Sequence, residues 1–232
     1  KALELDPNHA NNTGSFALFM HAVRNDYDEA ERLYRKVLEL DPNDANQIGN
    51  FANFMKAVRK EYDKAELLYR KALELDPNHA NNTGNFASFM KDVRKDYAEA
   101  ELLYRKALEL DPNDATHTGN FANFMKEVRK EYAEAERLYR KALELDPNDA
   151  TNTGNFASFV NEIRKDYEEA ERLYRKALEL DPNDATHTGN FAQFLAARNR
   201  LDEAFAFANV AWELLDSEPD SNHAEIAFTQ AA

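Results

Sequence analysis

The sequence predicts an all-α fold, a solenoid of antiparallel helix pairs, on three observations. Six prolines lie 35 residues apart, each between an Asp and an Asn: Pro7, Pro42, Pro77, Pro112, Pro147 and Pro182. A fixed period of this length indicates stacked supersecondary units. Within each period, apolar residues recur at helical spacing. Because only two or three residues separate consecutive helical stretches, the two helices of each pair must pack antiparallel.

The Asp-Pro-Asn tripeptides mark the limits of the repeats, because proline cannot continue a helix and displaces the preceding residue from helical angles. They predict six repeats, over residues 9–43, 44–78, 79–113, 114–148, 149–183 and 184–217. Residues 1–8 copy the end of a repeat. The chain is therefore expected to be a fragment that begins inside a truncated repeat. Residues 218–232 are predicted to form a C-terminal capping helix, because terminal repeats lack one neighbour.

The third repeat illustrates the pattern. Its first helix is predicted from Ala80 to Arg94, with apolar residues at one face: Phe86, Phe89, Met90 and Val93. Its second helix is predicted from Tyr97 to Leu110, with its own apolar stripe: Tyr97, Ala100, Tyr104, Ala107 and Leu108. Neither helix can bury its stripe alone, so successive repeats must stack and the aromatic residues are expected in the core.

The second helices carry a start signal. Asp96 followed by Glu99 matches a capping box, in which each side chain bonds the backbone N–H at the other position. The pairs Asp26/Glu29 and Asp166/Glu169 repeat it.

Composition and charge narrow the class of function. The net charge is −14, which argues against nucleic acid as a partner, because affinity for the phosphate backbone comes mainly from Lys and Arg. The absence of cysteine removes disulfides and favours a reducing, cytoplasmic compartment. No apolar run is long enough to span a membrane. No catalytic constellation, cofactor motif or metal-ligand spacing recurs, and the histidines His9, His79, His117 and His187 are interpreted as surface residues.

These repeats resemble the tetratricopeptide repeat family. The second helix follows the family pattern A-x3-F/Y-x2-A-x4-P with Ala100, Tyr104, Ala107 and Pro112. The first helix departs from the family, with Thr83, Phe86, Ala87 and Met90 at its signature positions. Lys95 stands where the family has a glycine between the helices, and the period is 35 rather than 34. The resemblance implies a right-handed superhelix whose first helices line a concave groove, with peptides or protein segments bound there and usually no catalysis.

Polar residues form three rows on one face of the first helices. We call the middle one the asparagine row: Asn50, Asn85, Asn120, Asn155 and Asn190. The early row, one turn before it, includes Asn46 and Asn81, and the late row comprises Asn53, Ser88, Asn123, Ser158 and Gln193. A carboxamide both donates and accepts, so it can hold the peptide unit of an extended ligand. We predict that these residues bind a peptide or partner; a solvated polar face is the alternative.

All six glycines occupy the position before this row: Gly14, Gly49, Gly84, Gly119, Gly154 and Gly189. Each costs about 1 kcal/mol relative to alanine inside a helix. Either adjacent first helices approach closely there, or the glycines leave room for a ligand backbone.

The leading hypothesis is a protein–protein interaction scaffold without catalytic activity. The alternatives are a regulatory or sensory arm of a larger effector enzyme and, because some RNA-binding arrays also have 35-residue repeats, RNA binding. The ligand, the oligomeric state and the host pathway do not follow from the residues.

Overall fold

The computed structural model describes residues 9–216, which contain paired α-helices and no strand. The predicted all-α fold of antiparallel helix pairs is confirmed. The chain divides into two compact units, Lys1–Asn113 (unit 1) and Asp114–Ala232 (unit 2). Residues 1–8 and the predicted capping helix at 218–232 lie outside the described residues.

Each repeat contributes a first and a second helix. Unit 1 contains α1 (Ala10–Ala22), α2 (Tyr27–Leu40), α3 (Ala45–Phe54), α4 (Tyr62–Leu75), α5 (Ala80–Phe89) and α6 (Tyr97–Leu110). Unit 2 contains α7 (Ala115–Phe124), α8 (Tyr132–Leu145), α9 (Ala150–Phe159), α10 (Tyr167–Leu180), α11 (Ala185–Ala196) and α12 (Leu201–Asp216). The odd-numbered helices are first helices and the even-numbered ones second helices.

Side-chain caps explain where the helices begin. Each first helix starts after a His or Asp whose side chain accepts a hydrogen bond from a backbone N–H of the first turn; Asp44, for example, accepts from the N–H of Gln47. Asp96 caps α6 in the same way, accepting from the N–H of Glu99. Only half of the predicted capping box forms, however. The N–H of Asp96 donates instead to the carbonyl of Met90, and the Glu99 carboxylate accepts from Arg70.

Four first helices end in a π-helical turn that the sequence pattern did not predict: π1 (Met55–Arg59), π2 (Met90–Arg94), π3 (Met125–Arg129) and π4 (Val160–Arg164). Each is followed by a lysine in the left-handed region, such as Lys95 with φ of 58°. A π turn holds more residues than an α turn, so it accommodates the residue that lengthens the repeat beyond 34. The lysine thus adopts a left-handed conformation that ordinarily favours glycine.

Changing Lys95 to Gly is expected to stabilise the chain by about 0.5–1 kcal/mol, because glycine adopts positive φ without steric cost. The same change at exposed Lys71, inside α4, should destabilise it by about 1 kcal/mol. Urea denaturation followed by circular dichroism measures both. Shifts of the same sign in the two variants would contradict the conformational explanation.

Aromatic stacking joins successive repeats. The ring of Tyr69, fully buried, lies 5.4 Å from both Phe86 and Phe89 of the following first helix. Tyr174 packs likewise, 5.7 Å from Phe191 and 5.4 Å from Phe194. The prediction that these aromatics form the core is confirmed. Tyr97, which the stripe also placed in the core, is 39 % exposed, because it opens α6 at the surface; its equivalents in α4, α8 and α10 are exposed as well.

Arginines at the ends of first helices form ion pairs with acids of the preceding repeat. Arg59 pairs with Glu31 and Asp28 of α2, each at 2.6 Å, and its guanidinium lies 5.7 Å from the ring centre of Phe54. In unit 2, Arg164 pairs with Glu136 at 3.1 Å in the same way. Such part-exposed pairs are each worth about 0–1 kcal/mol, so they mainly fix the register between neighbours.

Candidate functional site

The asparagine row lies on the exposed side of the first helices. All five of its side chains are half-buried, between the phenylalanine core and solvent. Their amides form no hydrogen bond with any other residue between 9 and 216. Each therefore retains two donors and an acceptor that a bound group can use.

The two flanking rows differ in their availability. Asn46 and Asn81 of the early row are exposed. Most of the late row is bonded to the tyrosine of its own repeat's second helix. Tyr69 donates to Oδ1 of Asn53 at 2.5 Å, Tyr139 donates to Asn123, and the hydroxyls of Ser88 and Ser158 lie 3.1 Å from those of Tyr104 and Tyr174. Ser158 is also buried, whereas Gln193 is exposed and retains its amide.

A further polar row, which the sequence reasoning missed, occupies the third position of the first helices. We call its members the slot residues: Gln47, Asn82, His117, Asn152 and His187, all buried. The interpretation of His117 and His187 as surface residues is therefore wrong. Nδ2 of Asn82 donates to the carbonyl of Ala45 at 2.8 Å, and Nδ2 of Asn152 donates to that of Ala115 at 3.1 Å. The slot residues thus join neighbouring first helices within each unit.

The glycines make room for the slot residues. A Cβ built on Gly49 would lie 2.6 Å from Cγ of Asn82, and one on Gly119 would lie 2.6 Å from Cγ of Asn152. Gly14 and Gly154 face Gln47 and His187 as closely. Such distances are far inside van der Waals contact. Of the two readings of the glycines, the close approach of adjacent first helices is the one that the geometry supports.

Lysines at the ends of first helices lie beyond the late row and are largely neutralised by acids of the next repeat. Lys126 pairs with Glu162 at 2.8 Å, and its side chain is only 15 % exposed. Burial lowers the pKa of Lys56, although the charge of Asp92 opposes that shift. This edge therefore presents little unpaired charge to a ligand.

The described part of the chain shows neither a metal-binding cluster nor a membrane-spanning helix. Residues 9–216 hold no group of three or more His, Asp or Glu side chains placed to share a metal ion. None of the helices within that range is both long and apolar enough to cross a membrane.

Comparison with protein families shows what the repeats are. Three family models, each described as Tetratricopeptide repeat, match the chain: one at residues 163–221, one at 18–48, and one at 59–79, 94–114 and 129–149. The matches reach every one of the six predicted repeats. The chain belongs to the tetratricopeptide repeat family. A search of curated proteins finds no match to the tetratricopeptide chain. This repeat fold is typically a noncatalytic scaffold.

Solved tetratricopeptide structures share the fold. The chain is similar to PilF of Pseudomonas aeruginosa, with a TM-score of 0.71 and 22% identity over 96% of both chains. It is similar to yeast Tom70, with a TM-score of 0.70 and 25% identity over 99% of this chain. It is also similar to the structure of the APC/C hetero-tetramer Cut9-Hcn1, with a TM-score of 0.81 and 17% identity over 94% of this chain. The chain spans 47% and 42% of the latter two chains.

Proposed function

We propose that this tetratricopeptide chain is a protein-interaction scaffold, and that the asparagine row binds the main chain of an extended polypeptide. The observation that carries the proposal is a set of half-buried amides, repeated on neighbouring helices, with no partner among the described residues. A carboxamide matches the peptide unit, because each has one donor side and one acceptor side.

The spacing of the row fits an extended ligand. Packed helices lie about 8–10 Å apart, and an extended chain advances about 3.3 Å per residue. Neighbouring amides of the row would thus meet roughly every third residue of the ligand. Within unit 2, Asn120, Asn155 and Asn190 would together hold about seven residues by the same estimate.

The surroundings of the row favour recognition of the main chain over recognition of charged side chains. The lysines at the helix ends are paired or partly buried, as Lys126 is with Glu162. The late row offers fewer free groups than the asparagine row, because the amide oxygen of Asn123 and the hydroxyl of Ser158 are bonded to tyrosines. One structure with a similar fold is that of the APC/C hetero-tetramer Cut9-Hcn1. A role in assembling proteins accords with that similarity.

The test begins with an array of 12-residue peptides of random sequence, from which the tightest binders of the full chain are taken as probes. Changing Asn120 or Asn155 to Ala is expected to weaken each probe about fivefold, since one hydrogen bond contributes about 1 kcal/mol. Asn148→Ala, in the exposed junction before α9, is the matched control and should leave the Kd unchanged. The readout is fluorescence anisotropy, with circular dichroism to verify folding.

Equal Kd values for the wild type, Asn120→Ala and Asn155→Ala, with intact helicity, would reject the role of the row while leaving a scaffold function open. Failure of the chain to retain any peptide, and to capture any protein as bait, would reject the scaffold function itself.

A further inference from the structure

Two neighbouring second helices of unit 1 each present a leucine to solvent. We call Leu67 of α4 and Leu102 of α6 the leucine pair; they are 69 % and 70 % exposed. Both occupy one repeat position, which holds an arginine in three other repeats: Arg32, Arg137 and Arg172. Those arginine side chains are also mostly exposed, so the position faces solvent in every case. Packing of the core therefore does not explain why two adjacent repeats have leucine there.

The leucine pair has the spacing of two residues on one face of a helix. α4 and α6 are neighbours, joined by an ion pair between Arg70 and Glu99 at 2.9 Å. Packed helices lie about 8–10 Å apart, so a similar distance separates the two leucines across the surface. Residues i and i+7 of an α-helix lie about 10.5 Å apart along its axis and on nearly the same face. A helix laid across α4 and α6 can therefore place one apolar side chain on each leucine.

Lysines flank the leucine pair on one side. Lys71 and Lys106 follow the leucines by four residues, one turn further along the same face. Neither lysine forms an ion pair with any residue between 9 and 216. On the other side of the leucines, Asp63, Lys64 and Glu99 are each engaged in an ion pair. The charges left for a ligand beside the leucine pair are therefore positive.

We propose that the leucine pair and these two lysines bind an acidic amphipathic α-helix of another protein. Its apolar residues at i and i+7 pack on the leucine pair, and Glu or Asp residues beside that stripe pair with Lys71 and Lys106. This surface belongs to the second helices, whereas the asparagine row belongs to the first helices. The two sites can therefore be tested separately.

The width of a helix determines which charges it meets on this surface. With its side chains, a helix is about 10–12 Å across, so it covers about 5–6 Å to each side of the leucine pair. Lys71 and Lys106, about 6 Å along the axes of α4 and α6, lie at the edge of that width. The exposed Glu74 and Glu109, about 10 Å along, lie outside it. An acidic helix thus meets the lysines without meeting these acids.

The probes are helical peptides of about 18 residues with Leu, Phe or Met at i and i+7 and Glu at the flanking positions. A matched basic set has Lys in place of Glu. We expect the acidic set to bind the full chain, and the double variant Leu67→Arg, Leu102→Arg to weaken that binding about tenfold or more. Asn120→Ala should leave it unchanged. The readout is fluorescence anisotropy at about 0.15 M salt, with circular dichroism to verify folding.

Unit 2 allows a test by gain of binding. The double variant Arg137→Leu, Arg172→Leu creates a second leucine pair on the neighbouring helices α8 and α10, where Lys141 and Lys176 follow by four residues. Both arginines are mostly exposed, so the exchange should leave the fold intact. By isothermal titration calorimetry, this variant should bind two acidic peptides per chain, whereas the wild type should bind one.

Three peptide results would overturn the proposal: no binding of the acidic set by the wild type, the same Kd for the wild type and Leu67→Arg, Leu102→Arg, or leucine-dependent binding of the basic set as tight as that of the acidic set. Sedimentation velocity would also overturn it if the wild type were a dimer that the two arginine substitutions convert to a monomer. That result would place a second copy of the chain on the leucine pair.

Discussion

Raising the pH above 10 is expected to unfold the chain, because its core tyrosines ionise more readily when unfolded than when folded. Burial raises the pKa of Tyr34 to about 12 and also raises the pKa of Tyr69 and Tyr174. Burial raises the pKa of Tyr139 too, and the charges of Glu127 and Glu162 add to the effect. The unfolded chain loses these protons near pH 10, so the stabilisation is complete below pH 10 and falls as the pH rises toward the folded values. Each tyrosine then removes about 1.4 kcal/mol of unfolding free energy per pH unit.

Urea denaturation at pH 8, 10, 11 and 12, followed by circular dichroism, measures this slope, and absorbance of tyrosinate reports the ionisation. Tyr69→Phe is the matched variant. It should reduce the loss of unfolding free energy per pH unit by the contribution of one tyrosine, about 1.4 kcal/mol. At pH 8 it should also cost about 1 kcal/mol, because the hydrogen bond to Asn53 is lost. Ionisation of the buried tyrosines at pH 10 with the helices intact would contradict the prediction.

The sequence predicted the helix pairs closely because two independent signals coincide. The apolar period and the Asp-Pro-Asn stops placed helices at Ala80–Arg94 and Tyr97–Leu110, and the structure has α5 with π2 over the first range and α6 over the second. The π turns could not be read from the pattern, since their side chains still follow a nearly helical stripe. The only sign of the π turns in the sequence was that Lys95 replaces the family's glycine. A lysine does not by itself predict a positive φ, so that sign was not sufficient.

The candidate site was predictable in part. Because the asparagine row recurs at one repeat position, the sequence could single it out, and its amides have no hydrogen-bond partner among residues 9–216. The slot residues could not be found by similarity, because Gln47, Asn82 and His117 share no chemistry beyond being polar. Polarity alone placed His187 at the surface, whereas packing against the preceding repeat buries it. The regularly placed glycines were the signal for the slot residues. Their cost in helix propensity recurs in every repeat, which implies that a neighbouring side chain needs the space that a Cβ would fill.

Gly49→Ala is expected to destabilise the chain by about 2 kcal/mol, although alanine is by itself the better helix former. The new methyl group would collide with the amide of Asn82, which is buried and donates to the carbonyl of Ala45 at 2.8 Å. The amide can move only by breaking that bond, which leaves the buried Nδ2 donor of Asn82 unpaired at a cost of about 1–3 kcal/mol.

Gly189→Ala is expected to have the opposite effect and to stabilise the chain. No slot residue within the described chain faces Gly189, and the nearest atom to the new methyl group is Cβ of Ala211 at 4.0 Å. The variant should therefore gain about 1 kcal/mol from helix propensity. The double variant Gly49→Ala, Asn82→Ala should recover part of the loss, because the smaller side chain leaves the slot. Urea denaturation of the wild type, the two glycine variants and the double variant measures these changes in the free energy of unfolding. If Gly49→Ala and Gly189→Ala change it in the same direction, the explanation that the glycines make room for the slot residues is wrong.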